Sequence, residues 1–126
     1  MQVTPDAPTN RMVVEGYGDG SFRISGQQHP GSVLVLPEHV EPWAPPGDFS
    51  DLTPEHFAAV MAEADQIDIL LVGCGQHMAL IPKAVREALL AVDVVPEPMT
   101  TAAACRTFNV LALEGRRIAA VLVESP

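Results

Sequence analysis

The chain has 126 residues, of which 16 are acidic and 7 basic, so its formal net charge at pH 7 is −9. Hydrophobic residues make up 48% of it, which is enough for a buried core and excludes global disorder. Two cysteines cannot build a disulfide scaffold or a four-thiolate zinc site, and the acidic balance argues against nucleic acid, whose phosphates attract clustered Lys and Arg.

Residues 1–10 contain two prolines and no apolar periodicity, which predicts a disordered tail before a single domain at 11–126. This segment lacks the basic and then apolar pattern of a signal peptide, and one Arg among the first eleven residues is a poor match to a mitochondrial transit peptide. The longest apolar runs, such as 69–72 and 118–123, are too short to span a bilayer. We therefore expect a cytoplasmic protein with free thiols.

The first third of the chain favours strands. Residues 12–17 and 22–24 form a predicted hairpin around Gly18–Gly20, because Gly and Asp tolerate the positive φ of tight turns. The continuously apolar run at 31–36 predicts a strand buried on both faces. Five prolines then make 37–54 a connector with a short strand or turn near Trp43, which we interpret as a core residue more than as a ligand platform.

Helices and strands alternate in the rest of the chain. A helix begins at Thr53, a good N-cap followed by proline, and another begins at Pro82. Buried strands are predicted at 67–72 and 118–123, with a short strand at Val94–Val95 and a helix at about Thr101–Leu113. The order predicts a three-layer α/β domain, with a mixed central sheet of about five strands, an N-terminal β layer and about three helices.

The helix at 101–113 is apolar on more than one side. Ala104, Cys105 and Phe108 share one stripe, but Val110 and Leu113 lie on other sides. A helix that is hydrophobic all round belongs in a core, so we expect this one to be deeply buried.

The loop Gly73-Cys74-Gly75 follows a buried strand and precedes a helix, which is where open α/β sheets hold ligands. It lacks the third glycine of a dinucleotide fingerprint, so it predicts phosphate binding only weakly. Cys74 with His77 could form a thiolate and base pair, but a small residue packed at a chain turn is the simpler interpretation.

Arg106 and Asn109 stand out in their apolar helix, because buried polar groups need partners. They could be structural, with Arg106 paired to Glu114 or Glu97 and Asn109 capping a loop. They could instead line a polar cleft beside the glycine loop. The four histidines show no metal-ligand spacing, and we predict no metal site and no cofactor.

Charge is also distributed unevenly along the chain. Eight carboxylates and no Lys or Arg occur between Arg23 and Lys83. This acidic segment either keeps a small domain in solution or steers a basic partner by long-range attraction.

Six features occur in a fixed order and are specific in combination. They are G-Y-G-D-G-S-F-R-I at 16–24, H-P-G-S-V-L-V-L-P at 29–37, Trp43, L-L-V-G-C-G at 70–75, M-T-T-A-A-A-C-R-T-F-N-V-L at 99–111 and E-G-R-R-I-A-A at 114–120. Over residues 11–124 the chain resembles the domain-of-unknown-function family that includes mitochondrial NADH dehydrogenase (complex I) assembly factor 3 and its bacterial and archaeal relatives.

The resemblance implies a three-layer α/β fold with a five-stranded mixed sheet. It also implies no established enzyme activity, and a role of the eukaryotic branch in complex I assembly together with another assembly factor at the inner membrane. Family members commonly have Gly-Thr-Gly where this chain has Gly73-Cys74-Gly75, which weakens a catalytic role for the thiol. The residues shared with the family (Gly73, Gly75, Arg106, Thr107 and Asn109), with Cys74, are the expected binding positions.

Two functions remain open at this point. The first is a non-enzymatic binding module of a bacterial cytoplasm that can associate peripherally with the inner membrane, and whose protein partner is a respiratory complex subunit or an assembly factor. The alternative is a protein or enzyme that binds an anionic or nucleotide-like small molecule through the Gly73–Gly75 loop with Arg106 and Asn109.

Overall fold

The computed structural model describes residues 12–124, and the predicted tail at 1–10 lies outside this range. Within it there are eight strands and three α-helices, of which five strands come first and the remaining helices and strands alternate. In order they are β1 (Val14–Gly18), β2 (Ser21–Ile24), β3 (Gln27–Pro30), β4 (Val33–Val35), β5 (Val40–Pro42), α1 (Ala58–Ala62), β6 (Ile69–Gly73), α2 (Lys83–Ala91), β7 (Val95–Met99), α3 (Thr101–Leu113) and β8 (Ile118–Leu122).

The strands form two sheets. β1, β2 and β3 make an antiparallel N-terminal sheet, and the central sheet has the order β5-β4-β8-β6-β7. β6 pairs in parallel with β7 and β8, whereas β4 is antiparallel to both β5 and β8. The predicted mixed five-stranded sheet, N-terminal β layer and three helices are therefore confirmed, and β8 is the central strand of the sheet.

A separate hydrophobic core covers each face of the central sheet. On one face, Leu70, Val72 and Val121 pack with α1, α2 and Trp43. On the other, Leu71 and Ala120 pack with α3 and the N-terminal sheet. Successive strand residues point to opposite faces, so continuously apolar strands are what a doubly covered sheet requires. The result is three layers.

Trp43 is a core residue, as predicted, and is only 8% exposed. Its indole Nε1–H donates a hydrogen bond to the carbonyl of His56 at 2.8 Å, and its ring centroid lies 5.6 Å from that of Phe57. A buried indole needs an acceptor for its N–H, and the first turn after Thr53 provides it. This contact ties the proline-rich connector to the helical layer.

The helix predicted from Thr53 is shorter than expected. Its first turn, Pro54–Phe57, is a 3-10 turn, α1 itself has only five residues, and a further 3-10 turn follows at Ala64–Gln66. The N-terminal signal is nonetheless correct, because the N–H of Thr53 donates to Nδ1 of His56 at 3.0 Å. A further 3-10 turn, Phe49–Asp51, lies in the connector.

Sequence reasoning missed β3 and shortened β7. β3 carries Gln27, Gln28 and His29, with no apolar alternation to reveal it, and is held by its pairing with β2. β7 continues through Pro96 and Pro98 to Met99. Proline is tolerated there because β7 is an edge strand, where an outward-facing N–H is dispensable.

Candidate functional site

The Gly73-Cys74-Gly75 loop lies at the carboxyl ends of three parallel strands. Gly73 is the last residue of β6, and it stands in register with Met99 of β7 and Leu122 of β8. α3 begins immediately beyond the end of β7. The loop therefore occupies the edge of the sheet where α/β proteins hold ligands, as predicted.

Glycine at position 73 is explained by the close approach of α3. A Cβ placed there would lie 3.1 Å from the Cα of Thr101 and 3.2 Å from the Cβ of Ala104. The first of these is a backbone atom and cannot move aside without shifting the helix. Gly75 has a φ of +92°, a conformation that side-chain-bearing residues rarely adopt. The two glycines thus allow the helix to sit tightly against the strand ends.

Thr101, which sequence reasoning did not single out, is the central polar residue of this edge. It is 2% exposed, and its hydroxyl donates to the carbonyl of Val123 and accepts from the N–H of Gly75, both at 2.8 Å. Its own N–H donates to the carbonyl of Gly75 at 2.9 Å, and the N–H of Cys74 donates to the carbonyl of Met99 at 2.8 Å. The backbone amides of Cys74 and Gly75 are therefore already bound within the protein.

The Cys74 side chain is half-buried and is held as a thiol. Its Sγ lies 3.3 Å from the carbonyl of Val72, to which the S–H donates. Burial raises the pKa of Cys74 above its ordinary value, although hydrogen bonds with Ala79 and Met99 oppose the shift. Within residues 12–124, no hydrogen bond joins Cys74 to His77. These observations favour the packed-residue interpretation of Cys74, because the thiolate is the nucleophile.

Asn109 holds β1 against α3. Its Oδ1 accepts from the N–H of Val14 at 2.9 Å, and its Nδ2 donates to the carbonyl of the same residue at 2.7 Å. The carboxamide thus pairs with both backbone groups of Val14 as a neighbouring strand would. The side chain of Asn109 therefore contacts the N-terminal sheet, and both of its polar atoms have a hydrogen-bond partner.

Arg106 points to solvent from α3. The ion pair with Glu114 or Glu97, one of the two interpretations of this residue, is not formed: in the part of the chain that the structure describes, Arg106 makes no ion pair. Thr107, the next residue, is half-buried. The structure therefore brings Gly73, Cys74 and Gly75 together with Thr101. Asn109 instead contacts β1, and Arg106 faces solvent. Ligand or partner binding by these residues stays a prediction.

A groove of about 280 Å³ lies at the opposite, amino end of β8. Its lining includes Phe108, Ala112 and Ile118 with Arg116 and Arg117. The guanidinium of Arg117 is already bound to the Asp68 carboxylate at 2.7 Å, which holds the pKa of Asp68 below its usual value. No motif in the sequence pointed to this groove. Among residues 12–124, no group of three or more His, Cys, Asp or Glu side chains is arranged to hold a metal ion.

Residues 14–123 match the protein family described as a protein of unknown function, DUF498/DUF598. The chain belongs to this family. It is 44% identical to an uncharacterised protein of Rhodobacter capsulatus over 113 residues, which are 90% of this chain and 85% of that protein. It is 30% identical to human NADH dehydrogenase [ubiquinone] 1 alpha subcomplex assembly factor 3 over 115 residues, or 91% of this chain and 62% of the human protein. The predicted resemblance is confirmed.

A solved structure shares the fold closely. The crystal structure of an outer membrane protein from Bartonella henselae has a TM-score of 0.85 and 34% identity, and the match covers 93% of this chain and 98% of that one. No helix within residues 12–124 of this chain is long and apolar enough to cross a membrane. The family assignment therefore rests on both sequence and fold, and the chain spans about three fifths of the length of the human relative.

Proposed function

We propose that the chain is a non-enzymatic binding module that assists the assembly of a respiratory membrane complex, with respiratory complex I as the leading candidate. The observation that carries this proposal is the 30% identity to the human assembly factor, which extends over 91% of this chain. The proposed partner is a subunit of the complex or another assembly factor. The proposed location is the bacterial cytoplasm, at the surface of the inner membrane.

The internal contacts of the glycine loop support binding over catalysis. Thr101 and the N–H of Gly75 bind α3 to the strand ends, and the N–H of Cys74 joins the end of β6 to the end of β7. The alternative, a small anionic ligand held by this loop with Arg106 and Asn109, is less favoured. Both polar atoms of Asn109 already bind Val14.

These contacts suggest how the expected binding positions divide between two tasks. Gly73, Gly75 and Asn109 fix α3 against the sheet and the N-terminal layer, and Cys74 joins the ends of β6 and β7. Arg106 and Thr107 lie further round the helix, and we propose that they face the partner. A rigidly held helix loses little conformational entropy when a partner docks on it, which favours affinity.

Deletion of the gene in a bacterium that assembles complex I tests the proposal. We expect the amount of assembled complex I, measured on native gels and as NADH oxidation by membranes, to fall and to recover when the gene is restored. Succinate oxidation by the same membranes is the control and should not change. Normal complex I in the deletion strain would overturn the proposal.

The non-enzymatic part of the proposal has its own variant. Cys74→Thr converts the loop to Gly-Thr-Gly and removes the thiol while leaving a side chain of similar size. We expect this variant to restore complex I as fully as the wild-type gene does. Failure of a stably folded Cys74→Thr protein would argue for thiol chemistry.

A further inference from the structure

α3 has a solvent-facing stripe that is almost entirely apolar. Ala103, Arg106, Val110 and Leu113 recur at helical spacing on the side opposite the buried residues Ala104, Cys105 and Phe108, and we call these four residues the outer face of α3. Val110 is 54% exposed and Leu113 is 76% exposed. Arg106 is the one charged residue of the whole 13-residue helix.

The exposed side of this helix has the composition of a covered helix. A helix at the surface of a globular protein normally places charged and polar residues on its outward side, whereas a helix that is apolar all round is normally covered on all sides. The inner side of α3 is covered by the sheet and the N-terminal layer. The outer side of α3 shares two features with the centre of a protein interface, which are few charged residues and the presence of an arginine.

We propose that the outer face of α3 is the docking surface for the assembly partner, and that the partner presents an apolar segment with a carboxylate opposite Arg106. This inference rests on the proposed function and adds the surface and the chemistry of the partner. Arg106 makes no ion pair within residues 12–124, so its guanidinium is available to an incoming carboxylate.

A second copy of the chain is a poor occupant of this face. If two copies related by a two-fold axis packed antiparallel with their α3 helices crossing at mid-length, Arg106, which is adjacent to the midpoint of Thr101–Leu113, would lie close to its own counterpart. The two guanidinium groups would then face each other. Each copy also carries a net charge of −9, so their long-range interaction is repulsive.

Addition of a partner strand at β7 is also disfavoured. The N–H of Val95 donates to the carbonyl of Asp68, on the side of β7 that faces β6. Residues 96 and 98 therefore direct their amide positions to the open side of β7. Those residues are Pro96 and Pro98, which have no N–H. This edge offers carbonyl acceptors but no donors at these positions, and a docked helix or loop on α3 does not depend on it.

The test uses the full-length tagged chain, expressed in the deletion strain and purified from detergent-solubilised membranes. The readout is the amount of peripheral complex I subunits recovered per bait, measured by quantitative mass spectrometry. Arg106→Glu and Val110→Asp should each lower recovery about tenfold or more, as expected for central interface residues. Arg106→Lys, which keeps the positive charge, should retain more of the recovery than Arg106→Glu.

Matched controls lie on α2. Arg86→Glu and Leu90→Asp make the same changes at exposed positions of the other long helix, and they should recover as much as wild type. All five variants change solvent-exposed side chains, so their thermal unfolding should match that of wild type, and this measurement excludes misfolding as the cause of a loss.

The outcomes separate the two proposals. Recovery of complex I subunits by wild type and equally by Arg106→Glu and Val110→Asp would overturn the docking surface and leave the assembly function standing. No recovery by wild type would overturn both. Light scattering that shows a wild-type dimer and a Val110→Asp monomer would assign the outer face to a second copy, and would also overturn the inference.

Discussion

The two longer helices of this protein, α2 and α3, expose different kinds of residue to solvent. α2 buries Val85 and Leu89 and turns Lys83, Arg86 and Glu87 toward water, with Lys83 and Glu87 one helical turn apart at 3.8 Å. α3 buries one side more fully, and its exposed side is still apolar apart from Arg106. The exposed side of α2 carries these charged side chains, with Leu90 as an exposed apolar residue, whereas the exposed side of α3 is the surface that we propose for a partner. The difference shows where an interaction surface can lie without any catalytic or metal-binding motif.

The sharpest test of this comparison sets the two sides of α3 against each other. Phe108→Ala should lower the free energy of unfolding by about 3–5 kcal/mol, because it opens a cavity beneath the helix. Val110→Ala should change it by no more than about 0.5 kcal/mol, since that side chain is largely in water. Urea denaturation measures both. A comparable loss for Val110→Ala would mean that the outer face is already covered in the purified protein.

The anchoring of α3 at the glycine loop should be nearly as sensitive. Thr101→Val preserves shape but leaves the N–H of Gly75 and the carbonyl of Val123 without their partner, which should cost roughly 2–4 kcal/mol. Thr101→Ser retains the hydroxyl and should cost about 1 kcal/mol or less, mainly for the lost methyl group. Equal losses in the two variants would show that the hydroxyl contacts contribute little.

The anchoring of β1 to α3 should contribute less, because Asn109 is only partly buried. Asn109→Leu removes both hydrogen bonds to Val14 and should lower the free energy of unfolding by about 1–2 kcal/mol. Amide hydrogen exchange at Val14 should accelerate in this variant. If Val14 stayed as protected as in wild type, β1 would be held mainly by its pairing with β2.

The two sides of α3 should also differ in the rate at which cysteines on them react. This test requires little change in the stability of the protein. Burial raises the pKa of Cys105 to about 11, so about one thiol in a thousand is ionised at pH 8. Iodoacetamide should therefore modify Cys105 very slowly, Cys74 somewhat faster, and the engineered cysteine of Val110→Cys fastest. The rates should all rise with pH, as the thiolate fraction does. Rapid labelling of Cys105 in the folded protein would contradict its place on the inner side.

Much of the fold was accessible from local sequence patterns. α3 has the bounds that were predicted, because Thr100 caps its start and Gly115, with a φ of +78°, follows its end. β3 was not accessible, because Gln27 and its neighbours have no pattern of their own and form a strand only by pairing with β2. β7 was underestimated because Pro96 and Pro98 interrupt strands everywhere except at an edge.

The candidate site was likewise predictable from the sequence only in part. The glycine loop was found from its place after a buried strand, but the role of Thr101 depends on contacts with Gly75 and Val123, which are distant in sequence. The apolar outer side of α3 was also visible in the sequence, where it predicted deep burial. That prediction is wrong for the isolated chain, because only the inner side of α3 faces the core. The periodicity of apolar residues does not distinguish a side chain that packs in a core from one that contacts a partner.

The position of β8 has a consequence for how the protein matures. This strand is the last in the described chain, yet it joins β4 on one side to β6 on the other. Until residues 118–122 are available, the hairpin of β4 and β5 and the β6-α2-β7 unit have no strand between them, and each exposes an unpaired edge. The layers therefore cannot close until residues 118–122 have been synthesised, and before then the exposed edges make a nascent chain vulnerable to aggregation.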